Sequence, residues 1–262
     1  MKNILSPLLI IIFGVLSCSE KTLIEDQINN VSDRINNISP CLPVIDDSYN
    51  YPIRPGSEEW INLKSMNDAY AMCQIPGDEI GKISSKGLIL SFLDVPLTLK
   101  ALYGISSGSP LSIWSGIFDK FNSITELLTR DDAASSLVSF YDEIDLVCAA
   151  SSNIEDQLNL SYSINALNYL FSSKEVLTQL DINGMKNLVN ILVEKYKQIE
   201  TFPSSAISEF GSLFAMAYVM YWNQFPPIVE YFSDDVERLI QDGLIFEDDI
   251  DIIVLSANNF IE

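Results

Sequence analysis

Apolar residues recur along this chain at spacings of three and four, the repeat of a helix face, and the strict alternation that marks a strand is scarce. Ile24, Ile28, Val31, Ile35 and Ile38 draw one narrow stripe, with Glu25, Asp26, Asn29, Asn30, Asp33 and Asn36 off it. Two heptads fall short of the three or four that argue for a coiled coil, so an amphipathic helical tether is preferred to an oligomerising stalk. Residues 39–57 break the pattern. Pro40, Pro43, Pro52, Pro55 and Gly56 exclude regular helix there and predict an extended linker, with Tyr49 and Tyr51 laying it against the domain. Few core contacts are expected to cross it, so residues 57–262 are expected to fold alone.

Helix-start signals recur beyond the linker. Ser57 precedes Glu58-Glu59-Trp60, an N-cap with two acids in the positive first turn. Ser65 begins a near capping box, and Gln74-Ile75-Pro76-Gly77 ends that helix. Ser84-Ser85 caps 86–94, closed by Pro96. Ser109-Pro110 opens a helix running through Trp114, Ile117, Phe118, Phe121 and Ile124. Further helices are predicted at 133–144, 154–171, 174–180 and 185–199, each behind Asp, Asn or Ser. Residues 206–222 are unusually apolar, but the continuous run from 213 to 222 suits a buried central helix better than a membrane span. Two acidic helices, 234–240 and 248–260, close the chain. The expected fold is all-α over residues 58–262, an irregular multi-helix bundle or α-superhelix without a clean repeat period.

The N-terminus carries an address. Met1-Lys2-Asn3 is a short basic start, residues 7–16 are almost wholly apolar, and Val15-Leu16-Ser17 leads into Cys18. This is the layout of a secretory signal peptide, too short for a span of roughly 20 apolar residues. A cysteine straight after the small residue resembles the lipobox of bacterial lipoproteins. The resemblance implies cleavage after Ser17, acylation of Cys18 and a membrane tie through that lipid; a multiply acylated cysteine anchors stably. Ser19 rather than Asp at the next position favours sorting to the outer membrane.

Composition narrows the partners. With 15 basic against 36 acidic residues, the formal charge of −21 repels phosphate backbones and anionic lipid, so no nucleic-acid partner is expected. Cys41, Cys73 and Cys148 remain after lipidation of Cys18, an odd number, and the preferred reading is three buried reduced thiols without a structural disulfide.

Tyr51-Pro52-Ile53-Arg54-Pro55-Gly56-Ser57-Glu58-Glu59-Trp60, Cys73-Gln74-Ile75-Pro76, Gly87-Leu88 leading to Val95-Pro96-Leu97, and Glu126-Leu127-Leu128 through Arg130-Asp131-Asp132-Ala133 form a set. Together, over residues 51–141, they resemble a family of exported bacterial proteins without assigned function, common among Bacteroidota. The resemblance implies an exported helical protein and carries over no catalytic residue. The shared residues are caps, turns and core positions, which a shared fold alone would preserve.

Chemistry is approached by elimination. The chain contains no histidine, which removes Ser-His-Asp and Cys-His systems and HExxH metalloproteases. No phosphate loop or dinucleotide fingerprint is present, and neither a cofactor nor a metal site is expected. Gly104-Ile105-Ser106-Ser107-Gly108 lacks nucleophile-elbow spacing and reads as a helix connection. Asp181-Ile182-Asn183-Gly184 resembles the start of a calcium loop, but its glycine comes early and a helix cap explains it. Carboxylate pairs are the surviving catalytic vocabulary: Glu58-Glu59, Asp131-Asp132, Asp142-Glu143 with Asp145, and Glu247-Asp248-Asp249 with Asp251. Most fall in predicted first turns, where acids serve the helix dipole. Asp248 and Asp249 in particular read as solvated, and replacing both with Asn is expected to cost at most ~1–2 kcal/mol. Trp60, Trp114, Trp222, Tyr218, Tyr221, Phe225, Tyr231 and Phe232 either line a groove for sugar or peptide or form a core stripe, and core is preferred. A tryptophan at the surface would shift that weighting. The expected protein is a lipid-anchored, non-enzymatic binding or structural module with a protein or glycan partner; the alternative is a carboxylate-dependent hydrolase acting on envelope glycan.

Overall fold

The computed structural model describes residues 39–201 and 209–262; the signal peptide, Cys18, the tether at 18–38 and the start of the apolar helix at 206 lie outside the described residues. Among the described residues the chain is all-α, fifteen helices with no strand. They are α1 (Glu58–Ile61), α2 (Met66–Met72), α3 (Gly77–Ile80), α4 (Ser85–Leu93), α5 (Leu99–Ile105), α6 (Pro110–Phe118), α7 (Asn122–Leu128), α8 (Ala133–Asp142), α9 (Leu146–Ser151), α10 (Ile154–Leu170), α11 (Lys174–Leu177), α12 (Ile182–Glu200), α13 (Phe210–Trp222), α14 (Pro226–Tyr231) and α15 (Ile250–Ile261). A π-helical turn, Arg238–Asp242, and a 3-10 turn, Glu247–Asp249, precede the last of these.

Side-chain caps set many of the starts. Ser57, Ser65, Ser84, Thr98, Asp145, Asn153 and Asp181 each accept a backbone N–H of the first turn, satisfying donors that have no partner inside the helix. Asp181 accepts from Gly184 at 2.7 Å, so the calcium-loop lookalike is a cap. Four readings of the sequence change, the first being that the acidic helix expected at 234–240 is replaced by the π-helical turn Arg238–Asp242. The single helix expected from Pro110 through Ile124 breaks at Asp119-Lys120, giving α6 and α7. Short α3, α5 and α9 arise where no helix was expected, and Pro226-Pro227 opens α14 as well as closing α13, because proline fits a first turn.

The apolar helix α13 is the hub. Nearly every residue of its first ten is buried, and it packs against α10, α12 and α15. Burial all round explains why its hydrophobicity has no preferred face. Among the described residues no helix is long and apolar enough to cross a membrane. A second group, α4 with α7 and α8, joins the same continuous core, with α10 bridging towards α5, α6, α8 and α9.

The proline-rich segment is irregular, as expected, but it is built into the domain rather than crossing it lightly. Cys41, Leu42 and Tyr51 are buried in the core. Asp47 accepts the Ser84 N–H at 2.7 Å at the start of α4, Ser91 Oγ accepts the Tyr49 N–H at 2.7 Å, and Arg54 pairs with Asp94. Cys41 and Cys148 form a disulfide across 107 positions, which overturns the expectation of three reduced thiols; among the described residues Cys73 is left as a buried free thiol, its pKa pushed up to about 12 by burial. Residues 57–262 should therefore not fold alone. A chain starting at 39 should give one cooperative melt, and one starting at 57 should lose it or aggregate; an equally cooperative melt of the shorter chain, followed by circular dichroism, would contradict this.

Candidate functional site

The carboxylate pairs do not assemble into catalytic dyads. Asp132 accepts from Ser85 Oγ at 2.5 Å and from Ser136, so it ties α4 to α8. Glu143 takes Lys86 Nζ at 2.7 Å and Ser139 Oγ at 3.1 Å, and Asp145 caps α9. Glu58 and Glu59 sit exposed in the first turn of α1. A general acid in a two-carboxylate mechanism needs a raised pKa. Among the described residues, Glu143 and Asp249 are shifted, and both move the other way. Glu143 is lowered chiefly by its hydrogen bond from Lys86. Burial pushes Asp249 up, but hydrogen bonds from Arg238, the Phe246 N–H and Tyr231 outweigh it. Among the described residues no group of three or more His, Cys, Asp or Glu side chains is placed to hold a metal ion.

Asp249 requires a correction. It is 2 % exposed rather than solvated, and both its oxygens are engaged. Arg238 Nη1 donates to Oδ2 at 2.6 Å and Nη2 to Oδ1 at 3.1 Å, Tyr231 Oη donates to Oδ1 at 3.0 Å, and the Phe246 N–H donates to Oδ2 at 2.7 Å. Arg238 also lies over the rings of Phe246 and Phe232, 4.5 and 5.2 Å from their centroids. Asp248, one residue earlier, is exposed as expected. The acidic cluster is a structural ion pair with a solvated neighbour.

The residues of the family-like set also do structural work. Trp60 is buried, and Gln74 and Ile75 are clamped to Asn122, whose side chain accepts the Ile75 N–H at 3.0 Å and donates to the Ile75 carbonyl at 2.7 Å. Arg130 donates to the Ile83 and Ile80 carbonyls and to Glu126. None of them opens onto a site.

A site does form where α5, α6, α10 and the start of α13 meet, as a cleft of about 340 Å³. From α10 it takes Leu158, Ser161, Tyr162, Asn165 and Tyr169, whose spacing of three, one, three and four puts them on one helix face. Pro110 and Trp114 come from α6, Tyr103 from α5, and Phe210 and Gly211 from α13. The aromatic rings are contiguous. Tyr103 lies 5.4 Å from Trp114 and 5.9 Å from Tyr162, and Trp114 is stacked on Tyr169 at 6.3 Å. Trp114 is only 1 % exposed and forms the floor, while Tyr103, Tyr162 and Phe210 reach the opening.

Two glycines let this geometry close. A Cβ on Gly211 would sit 2.2 Å from Asn165 Oδ1, so only glycine leaves the Asn165 amide where it is. Gly243, at φ +66°, brings its carbonyl to the Tyr169 hydroxyl at 3.1 Å and would meet the Tyr169 ring at 2.9 Å if it carried a Cβ. Beneath Gly211, Asn168 Nδ2 donates to Ser212 Oγ at 3.2 Å, and Tyr141 Oη lies 3.3 Å from the same oxygen. Burial pushes the Tyr141 hydroxyl pKa up to about 12, which keeps this layer neutral.

Of the aromatics singled out from the sequence, Trp114 alone lines this cleft. Trp60 and Phe232 are core; Tyr218 packs on Phe214 and Phe225 on Phe260; Tyr231 serves Asp249. Trp222 does reach the surface, 38 % exposed at the end of α13, but outside the cleft. Tyr103, Tyr162 and Asn165 were missed. The mixed Leu-Ser-Tyr-Asn-Tyr face of the helix at 154–170 is the signal that pointed to them, since a pure core face would not carry serine and asparagine.

No protein-family model, no curated protein and no solved structure matches this chain.

Proposed function

We propose that this is a lipid-anchored protein of the cell envelope, tied through Cys18 to the outer membrane, and that it acts by binding rather than by catalysis. The cleft between α5, α6, α10 and α13 is its binding site. The observation that carries this reading is the character of that cleft. It is lined by five aromatic rings, is within the range of roughly 300–1,000 Å³ usual for small-molecule sites, and among the described side chains no Asp, Glu, Lys or Arg lines its wall. Tyrosine hydroxyls are the acid–base groups this wall offers, and burial pushes those of Tyr103 and Tyr169 up, away from proton transfer at neutral pH, which favours holding a ligand over catalysis. The hydrolase alternative finds less support, since Asp132, Glu143, Asp145 and Asp249 are engaged in caps and ion pairs rather than facing this cleft. The Cys41–Cys148 bridge fits an exported protein, since such bonds persist in oxidising compartments.

Two experiments test the two halves of the proposal. Cys18→Ala should abolish metabolic labelling with palmitate; continued labelling overturns the anchor. The unacylated Cys18→Ala protein should still sediment with isolated envelopes, and adding Tyr162→Ala should abolish that retention. Equal sedimentation of both variants overturns the cleft as the binding site.

A further inference from the structure

We infer that the cleft takes a neutral saccharide, one sugar ring laid against the Tyr103 and Tyr162 side chains and its hydroxyls bonded to Asn165. This rests on the reading of the cleft as a binding site and names its ligand class.

The argument starts from polar groups left available. Neither the Asn165 amide nor the hydroxyls of Tyr103 and Tyr162 hydrogen-bonds to another described residue, although all three face a cleft. An amide offers two donors and an acceptor, and each tyrosine hydroxyl offers one donor and accepts as well. Donors and acceptors on side chains of one cleft, beside aromatic rings 5.9 Å apart, match a ligand with one C–H-rich face and a rim of hydroxyls. The ring face of tyrosine carries negative quadrupole density, which attracts the weakly positive C–H hydrogens of such a face.

Other ligand classes fit less well. An anion would meet no Arg or Lys among the described residues of the wall and would enter against the field of a chain carrying −21. A quaternary ammonium binds best on an open tryptophan face, and Trp114 is closed over at 1 % exposure. An acyl chain would strand the Asn165 amide and two hydroxyls without partners, at a cost for each buried group. A peptide that binds by strand addition needs a sheet edge, and no strand exists among the described residues to offer one. The cleft volume of about 340 Å³ suits a compact ligand of mono- or disaccharide size rather than a long chain enclosed along its length.

Gly211 gives the proposal a sharp handle. A methyl group there would come 2.2 Å from Asn165 Oδ1, the end of a side chain that can swing away, so Gly211→Ala should move the amide without unfolding the helix. The full-length protein in detergent would be titrated by calorimetry with cellobiose, maltose and chitobiose. A glucuronate-containing disaccharide, an N- and C-blocked phenylalanine dipeptide and choline would serve as contrasts. At least one neutral disaccharide should bind, with little change between 50 mM and 500 mM salt, and the acidic disaccharide should bind at least tenfold more weakly. Tyr162→Ala, Asn165→Ala and Gly211→Ala should each weaken binding at least tenfold, while Tyr162→Phe, which keeps the ring, should lose less than Tyr162→Ala. Unchanged melting temperatures would show that these variants remain folded. Binding of the blocked dipeptide or choline in a Tyr162-dependent manner, with no neutral disaccharide binding, overturns the saccharide class and leaves the binding-site reading standing. If Tyr162→Ala changes neither ligand titration nor envelope retention, both fall together.

Discussion

Replacing Asp249 with alanine should destabilise the protein by about 3 kcal/mol, because it leaves Arg238 charged and largely buried without its main partner. The figure lies at the low end for a broken buried pair, since Arg238 keeps Asp235 at 2.5 Å and the Leu244 carbonyl at 3.1 Å. The same change removes the acceptor of the Phe246 N–H and of the Tyr231 hydroxyl. Asp248→Asn, one position away and exposed, should stay within about 0.5 kcal/mol of wild type. Chemical denaturation of the two single variants separates a structural ion pair from solvated first-turn acids; equal and small effects would restore the latter view. The pH dependence follows from the direction of the shift. The folded-state pKa of Asp249 is depressed, so its contribution is fully present above the unfolded value of about 4 and is lost as pH falls through the folded value. Wild type and Asp249→Ala should therefore converge in stability on acidification below about pH 4.

Reducing the Cys41–Cys148 bond should cost more. A cross-link that closes a loop of about 100 residues removes up to about 4.7 kcal/mol of unfolded-state entropy on the chain-entropy account, and native bridges commonly contribute 2–5. For a domain of this size a loss near 4 kcal/mol lowers Tm by about 10 °C. Calorimetry with and without dithiothreitol measures it, and the Cys41→Ser, Cys148→Ser double variant should match the reduced wild type. An unchanged Tm on reduction would show that the bond does not constrain the native chain. Cys73 should not confuse the result, because its thiol is fully buried and its pKa is pushed up to about 12 by burial, which suppresses the reactive thiolate.

What the sequence made legible was local. Ser57, Ser65, Ser84, Asn153 and Asp181 announce their helices because a cap needs only a side-chain oxygen and the next three backbone amides. The buried character of α13 was legible for a similar reason: an apolar run of that length has few other places to go. What stayed hidden depends on residues far apart. The pairing of Cys41 with Cys148 is fixed by where α9 lies against the N-terminal segment, where the Asp145 N–H also donates to the Cys41 carbonyl at 3.0 Å. Asp249 carries the local signature of a first-turn acid, and only the π-helical turn that brings Arg238 back to it reveals its role. The proline-rich segment announced its lack of helix, but its irregular backbone concealed how deeply Tyr51 and Cys41 are buried. The cleft draws on four helices, so its lining follows from helix register, which a list of aromatics cannot supply.

The disulfide also decides where tension would travel. Were the chain tied to a bilayer at Cys18, as proposed, and its ligand held at a distance, a pull would enter the domain at Cys41 and cross the covalent bond into Cys148 at the middle of α9. Residues 42–147 then lie outside the load-bearing path, and shear between membrane and ligand cannot peel them off the core while the bond is intact. Two walls of the cleft, α5 and α6, belong to that shielded loop, whereas α10 and α13 lie downstream of Cys148 and carry the force. In a force-extension experiment pulling from the N-terminus to the C-terminus, the oxidised protein should release a contour length shorter by those residues than the reduced one, about 38 nm at roughly 3.6 Å per residue.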